Sequence, residues 1–116
     1  MRISLATDGL EVGGAGLAAV ERRVRFALTR YSPRLRRVAV KLIDTRKLIA
    51  SSGPRSGRGT VCRVTMTLRN GGELRAVAEA ADVEQAAAVA ADRAARVLGR
   101  AVARNAPSWM PHEARG

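Results

Sequence analysis

Residues 2–8 alternate, with Ile3 and Leu5 on one face and Arg2 and Ser4 on the other. A period of two predicts a half-buried strand. Gly9, Gly13, Gly14 and Gly16 then interrupt the chain. Beyond them Leu17, Val20, Val24, Leu28 and Tyr31 recur at helical spacing, and Pro33 is expected to close that helix. Arg22, Arg23, Arg25 and Arg30 fall off the apolar face, and Phe26 sits nearly opposite it, where a core role has no explanation.

Alternation returns at 37–43, with Val38, Val40 and Leu42 set against Arg37, Ala39 and Lys41. Residues 44–59 are rich in Ser, Gly and basic side chains and read as a long flexible connection. A third strand follows, Cys62, Val64, Met66 and Leu68 pointing one way and Arg63, Thr65, Thr67 and Arg69 the other. Asn70-Gly71-Gly72 is a hairpin signal. The strand after it carries Leu74, Ala76 and Ala78 inward and Arg75 outward.

Asp82 is placed to cap a last helix, with Gln85 three residues on as an approximate capping box. Val83, Ala87, Ala90, Ala94, Leu98 and Ala101 make its apolar face, and Pro107 and Pro111 end regular structure. The order is β-α-β-β-β-α. It predicts an α+β fold of two layers, a four-stranded, largely antiparallel sheet with two helices packed on one face.

Along that last helix Arg93, Arg96, Arg100 and Arg104 are spaced three, four and four residues apart, which stacks them into one stripe. No acid falls among them. Like charges at this spacing repel by a few tenths of a kcal/mol per turn, so the stripe suits a partner that supplies negative charge. Asp92 stands four residues before Arg96, and a local pair between them is expected.

The composition sharpens this picture. The 116 residues suffice for one domain with a modest core. Hydrophobic residues are 47% but aromatic ones only 3%, so the core is aliphatic and alanine-rich, and base stacking on aromatic platforms is almost unavailable. The formal net charge is +11, from 21 basic residues against 10 acids. A GC-rich genome accounts for arginine over lysine but not for that excess. Between residues 22 and 75 fifteen bases face two acids, Asp44 and Glu73. Such a field steers polyanions and holds them through counterion release.

Chemistry beyond charge is sparse. Cys62 cannot form an internal disulfide and lies in an apolar run, which suits a core thiol in a reducing compartment. The segment 53–60 lacks the Gly-Lys-Ser/Thr ending of a phosphate loop and has Pro54 where a backbone donor is needed; a basic loop able to touch phosphates is the better reading. His112 is alone, so acid–base chemistry and metal binding have no constellation. No cofactor, metal, small-molecule substrate or membrane partner is expected, and a soluble, cytoplasmic, non-enzymatic protein is.

Two segments and the order of elements resemble the ribosome hibernation-promoting factor family, also called ribosome-associated inhibitor A or the sigma-54 modulation protein family. One is Tyr31-Ser32-Pro33-Arg34-Leu35-Arg36-Arg37-Val38-Ala39-Val40, similar to the family's aromatic-x-Asp-Arg-Ile-x-x-Val entry into strand two. The other runs from Gly72-Glu73-Leu74 through Ala76, Ala78 and Asp82 to Asp92-Arg93-Ala94-Ala95-Arg96-Val97-Leu98-Gly99-Arg100. The chain departs from the pattern at Gly13-Gly14-Ala15-Gly16-Leu17, where Thr/Ser-x-Ala-Leu is usual, and at Pro33, where Asp is common.

The resemblance implies one RNA-binding domain over 1–106 and a short flexible tail over 107–116, a short form without the C-terminal domain that lets long members pair ribosomes. It further implies a translation factor that binds the small ribosomal subunit and its rRNA in the mRNA and tRNA channel, blocking initiation under stress or in stationary phase. Carried across by position, the RNA contacts are Arg22, Arg23 and Arg25 on the first helix and Arg93, Arg96, Arg100 and Arg104 on the second. A monomer is favoured. Two alternatives stay open: a generic structured-RNA-binding module, and a protein-interaction module whose basic face meets an acidic protein.

Overall fold

The computed structural model describes residues 1–45 and 59–104. The strands are β1 (Arg2–Asp8), β2 (Leu35–Asp44), β3 (Thr60–Leu68) and β4 (Glu73–Ala80), and the helices are α1 (Gly14–Leu28) and α2 (Val83–Arg104). They form one sheet in the order β1-β2-β3-β4. β1 runs parallel to β2, and the other two pairings are antiparallel. The parallel pair is the one that needs a crossover, and α1 supplies it.

Alternation decides which side the helices cover. Val38, Val40 and Leu42 of β2, Cys62, Val64 and Met66 of β3, and Ala76 and Ala78 of β4 are buried in one cluster with Val20, Val24 and Leu28 of α1. From α2 the cluster takes Ala86, Ala87, Ala90, Ala91, Ala94 and Leu98. Both helices therefore lie on one face, as the pattern predicts, and the core is aliphatic. β4 offers the core mainly alanines, and α2 meets them with alanines of its own, small surfaces that allow a close approach. The Cys62 thiol is fully buried, and burial pushes its pKa up to about 12, so it stays protonated and packs as a small apolar group.

The predicted turns and caps are formed. The β3–β4 hairpin turns through Asn70-Gly71-Gly72, with Gly71 at φ 94°. The Leu68 carbonyl accepts the Gly71 N–H at 3.0 Å, and Asn70 Oδ1 accepts the Gly72 N–H at 2.9 Å. At the start of α2, Asp82 Oδ1 accepts the Gln85 N–H at 2.8 Å, satisfying one of the orphan donors of the first turn. Among the described residues Gln85 makes no return bond, so the capping box is half complete.

Three local expectations are corrected. α1 starts at Gly14, before its first apolar position, and Gly13 caps it with backbone alone. Pro33 does not close α1, which ends at Leu28; a 3-10 turn over Thr29–Arg34 carries Pro33 inside it. Tyr31 rides on this turn, and its hydroxyl lies only 2.8 Å from where a Cβ on Gly99 of α2 would stand. Gly99 thus admits the ring. β2 is longer than predicted, and a bulge between Leu35 and Arg37 leaves both Arg36 and Arg37 exposed. Most of the basic connection at 44–59, the tail prolines and His112 lie outside the described residues.

Candidate nucleic-acid interface

The seven candidate arginines all come from the two helices, and the structure spreads them across the exposed side of the helical layer. On α1, Arg22 and Arg25 are exposed and Arg23 is half-buried. Arg23 and Arg25 are two residues apart and so point about 160° away from each other around the helix. Arg23 faces α2; Arg25 faces the opposite flank. On α2, Arg93, Arg96, Arg100 and Arg104 are all exposed.

Three of the seven are engaged by the protein itself. Arg23 Nη2 donates to Asp92 Oδ1 of α2 at 2.9 Å. Asp92 therefore bonds across the helix pair, and not to Arg96 along its own helix as the spacing suggested; the close packing of α1 on α2 offers it the nearer guanidinium. Arg25 pairs with Glu21 one turn back, at 3.0 Å. Arg93 reaches off α2 to β4, where its Nη1 donates to the Val77 carbonyl at 2.8 Å. β4 is an edge strand with one row of unpaired backbone groups, so Arg93 satisfies part of that edge and keeps its other N–H groups outward.

Among the described residues, Arg22, Arg96, Arg100 and Arg104 make no ion pair. Arg96 joins Arg23, Arg30 and Asp92 around an open cleft of about 510 Å³ between the helices, with Phe26, Ala27, Tyr31 and Ala95 as its apolar lining. Arg30 lies over the Tyr31 ring, 5.4 Å from its centre, within cation–π range. Phe26 is 79% exposed, on the rim of a cleft whose charged groups are mostly cations. Sequence reading left Arg30, Tyr31 and Phe26 outside the site. The signal was present as the 23-26-30 spacing, but that face gains meaning only once α2 is placed beside it.

The exposed guanidiniums of the two helices give the arrangement the means to bind anions. No group of His, Cys, Asp and Glu among the described residues could hold a metal ion. No helix among them is long and apolar enough to cross a membrane.

Comparison with known proteins fits this outline. The fold is similar to that of a ribosomal subunit interface protein from Coxiella burnetii, with a TM-score of 0.69 at 13% identity, covering 89% of this chain and 99% of the other. It is also similar to the N-terminal domain of Protein Y from Thermus thermophilus, with a TM-score of 0.64 at 24% identity, covering 86% of this chain and 98% of the other. No curated protein matches the chain in sequence. The family model described as sigma 54 modulation protein / S30EA ribosomal protein matches residues 3–105. That match runs from β1 to the end of α2, and the chain belongs to this family of ribosome-associated, non-enzymatic binding proteins.

Proposed function

We propose that this protein is a cytoplasmic hibernation-type translation inhibitor that binds small-subunit rRNA in the mRNA and tRNA channel and blocks initiation under stress or in stationary phase. The observation that carries this reading is the set Arg22, Arg96, Arg100 and Arg104, four exposed guanidiniums that find no carboxylate among the described residues. The chain's family supports the ribosome as the place where they find phosphate.

The mechanism is steric and electrostatic. Guanidinium forks match phosphate oxygens in pairs, and each neutralised phosphate releases condensed counterions. Folded rRNA is recognised by its shape and backbone, with no need to read base edges. An occupied channel then excludes mRNA and tRNA without any bond being made or broken.

The test is co-sedimentation with purified small subunits. Reversing Arg96, Arg100 and Arg104 to Glu removes three of the four uncompensated cations and leaves Arg93 on its β4 carbonyl. Affinity falls by at least on the order of a hundredfold, and wild-type binding weakens steeply as salt rises. Unchanged sedimentation of the folded triple variant overturns the reading.

A further inference from the structure

The helix-free side of the sheet carries a second set of cations, which the strand register makes explicit. Across the four strands the rows read Arg2–Arg37–Thr67–Glu73, then Ser4–Ala39–Thr65–Arg75, then Ala6–Lys41–Arg63–Val77, and the cations give way at one end to a row Asp8–Ile43–Val61–Glu79. Their neighbours in sequence, Ile3, Leu5, Val38, Val40, Val64, Ala76 and so on, face the core, so these rows face away from the helices. Arg2, Arg37 and Arg75 are exposed, and Lys41 and Arg63 half-buried.

Two of these register pairs place like charges directly opposite each other: Arg2 with Arg37, and Lys41 with Arg63. Such cross-strand pairs destabilise a sheet. Among the described residues none of these four side chains forms an ion pair; Arg75 alone has one, to Glu73 at 3.6 Å. Ser4, Ala6, Ala39, Thr65 and Thr67 stand between the cations, with Glu73 and the exposed Val77 on the β4 edge, and these rows hold no aromatic ring to stack on a base.

From this we infer a second binding face on the bare sheet for the phosphodiester backbone of an RNA stem, so that the protein sits between two RNA segments, one on its helices and one on its sheet. The inference rests on the proposed function for the presence of RNA and adds to it a second contact on the opposite layer. Charge complementarity selects the backbone as occupant: Arg2, Arg37, Lys41 and Arg63 stand without a carboxylate partner among the described residues, at the spacing set by the strands, which suits a run of phosphates.

The discriminating variants are Lys41→Glu and Arg37→Glu. Each turns a repelling cross-strand pair into an attracting one, Glu against Arg63 or against Arg2, so thermal stability holds or rises. Binding moves the other way. With the full chain and a labelled RNA stem-loop, and separately with small subunits, each variant lowers affinity on the order of tenfold and reduces the salt slope by about one. A protein that holds two segments also retains two differently labelled stem-loops together, and a variant of either face does not.

Sheet variants that keep wild-type affinity and salt slope, while the Arg96/Arg100/Arg104 variant loses both, overturn the second face and leave the proposed function standing. Retention of binding by the helix variant as well overturns the proposed function. If the wild type retains an acidic protein after nuclease treatment and the sheet variants lose it, with stem-loop binding unchanged, RNA is overturned as the occupant of the sheet.

Discussion

The two helices share a sheet face and a taste for arginine and alanine, yet they handle their ends and their charges differently. α1 begins at a glycine with no capping side chain and no acid in its first turn. α2 begins at the Asp82 cap, carries Glu84 in its first turn and ends on Arg104, a charge order that suits the helix dipole at both ends. Their arginines reverse the contrast. Two of the three candidates on α1 are held by carboxylates of the same protein, whereas Arg96, Arg100 and Arg104 on α2 are not. The helix better able to stand alone is the one whose cations await an outside partner. α1 depends on docking for its stability and spends Arg23 on fastening itself to its neighbour.

The contrast breaks first at the core. Leu98 is the one large side chain that α2 buries completely among its alanines. Leu98→Ala leaves a cavity that alanine neighbours cannot fill and costs about 2–5 kcal/mol in denaturant unfolding. A cost near zero would show that α2 contributes little to holding the sheet.

The helix ends come next. Asp82→Ala removes the cap of α2 and costs about 1 kcal/mol, whereas Gly13→Ser at the uncapped end of α1 gains only a few tenths. Equal and opposite effects at the two ends in thermal melts would remove the distinction drawn between the helices.

The smallest effect on stability sharpens the comparison most. The Arg23–Asp92 pair is partly exposed on both sides, so Asp92→Ala costs about 0.2–1 kcal/mol. It also frees Arg23, making α1 resemble α2, and removes a negative charge from the cleft. Binding to small subunits tightens and its salt slope steepens by about one. Weaker binding would mean that Arg23 contributes through its fixed position and not through free charge.

Much of this was legible along the chain. The alternations of β3 and β4, the Asn70-Gly71-Gly72 turn, the Asp82 cap and the apolar face of α2 are local signals, and local physics determines each of them. The boundaries of α1 were less legible because glycine at 13 and 14 signals a break as strongly as a start. Pro33 misled for a related reason: it stops an α-helix but fits within a 3-10 turn, where the missing N–H costs less. Spacing points to Arg93, Arg96, Arg100 and Arg104, and the family resemblance to Arg22, Arg23 and Arg25, but neither says which of them are already occupied.

Periodicity and composition are properties of neighbours along the chain, and they set the element order, the covered side of each strand and the excess of positive charge. The tertiary structure decided that Asp92 bonds Arg23 and not Arg96, that Arg93 turns to the Val77 carbonyl, and that Lys41 faces Arg63 and Arg2 faces Arg37 across the open sheet. Those partners are brought together by helix packing and strand register, and electrostatic energy depends on distance through space, which spacing along a chain does not specify.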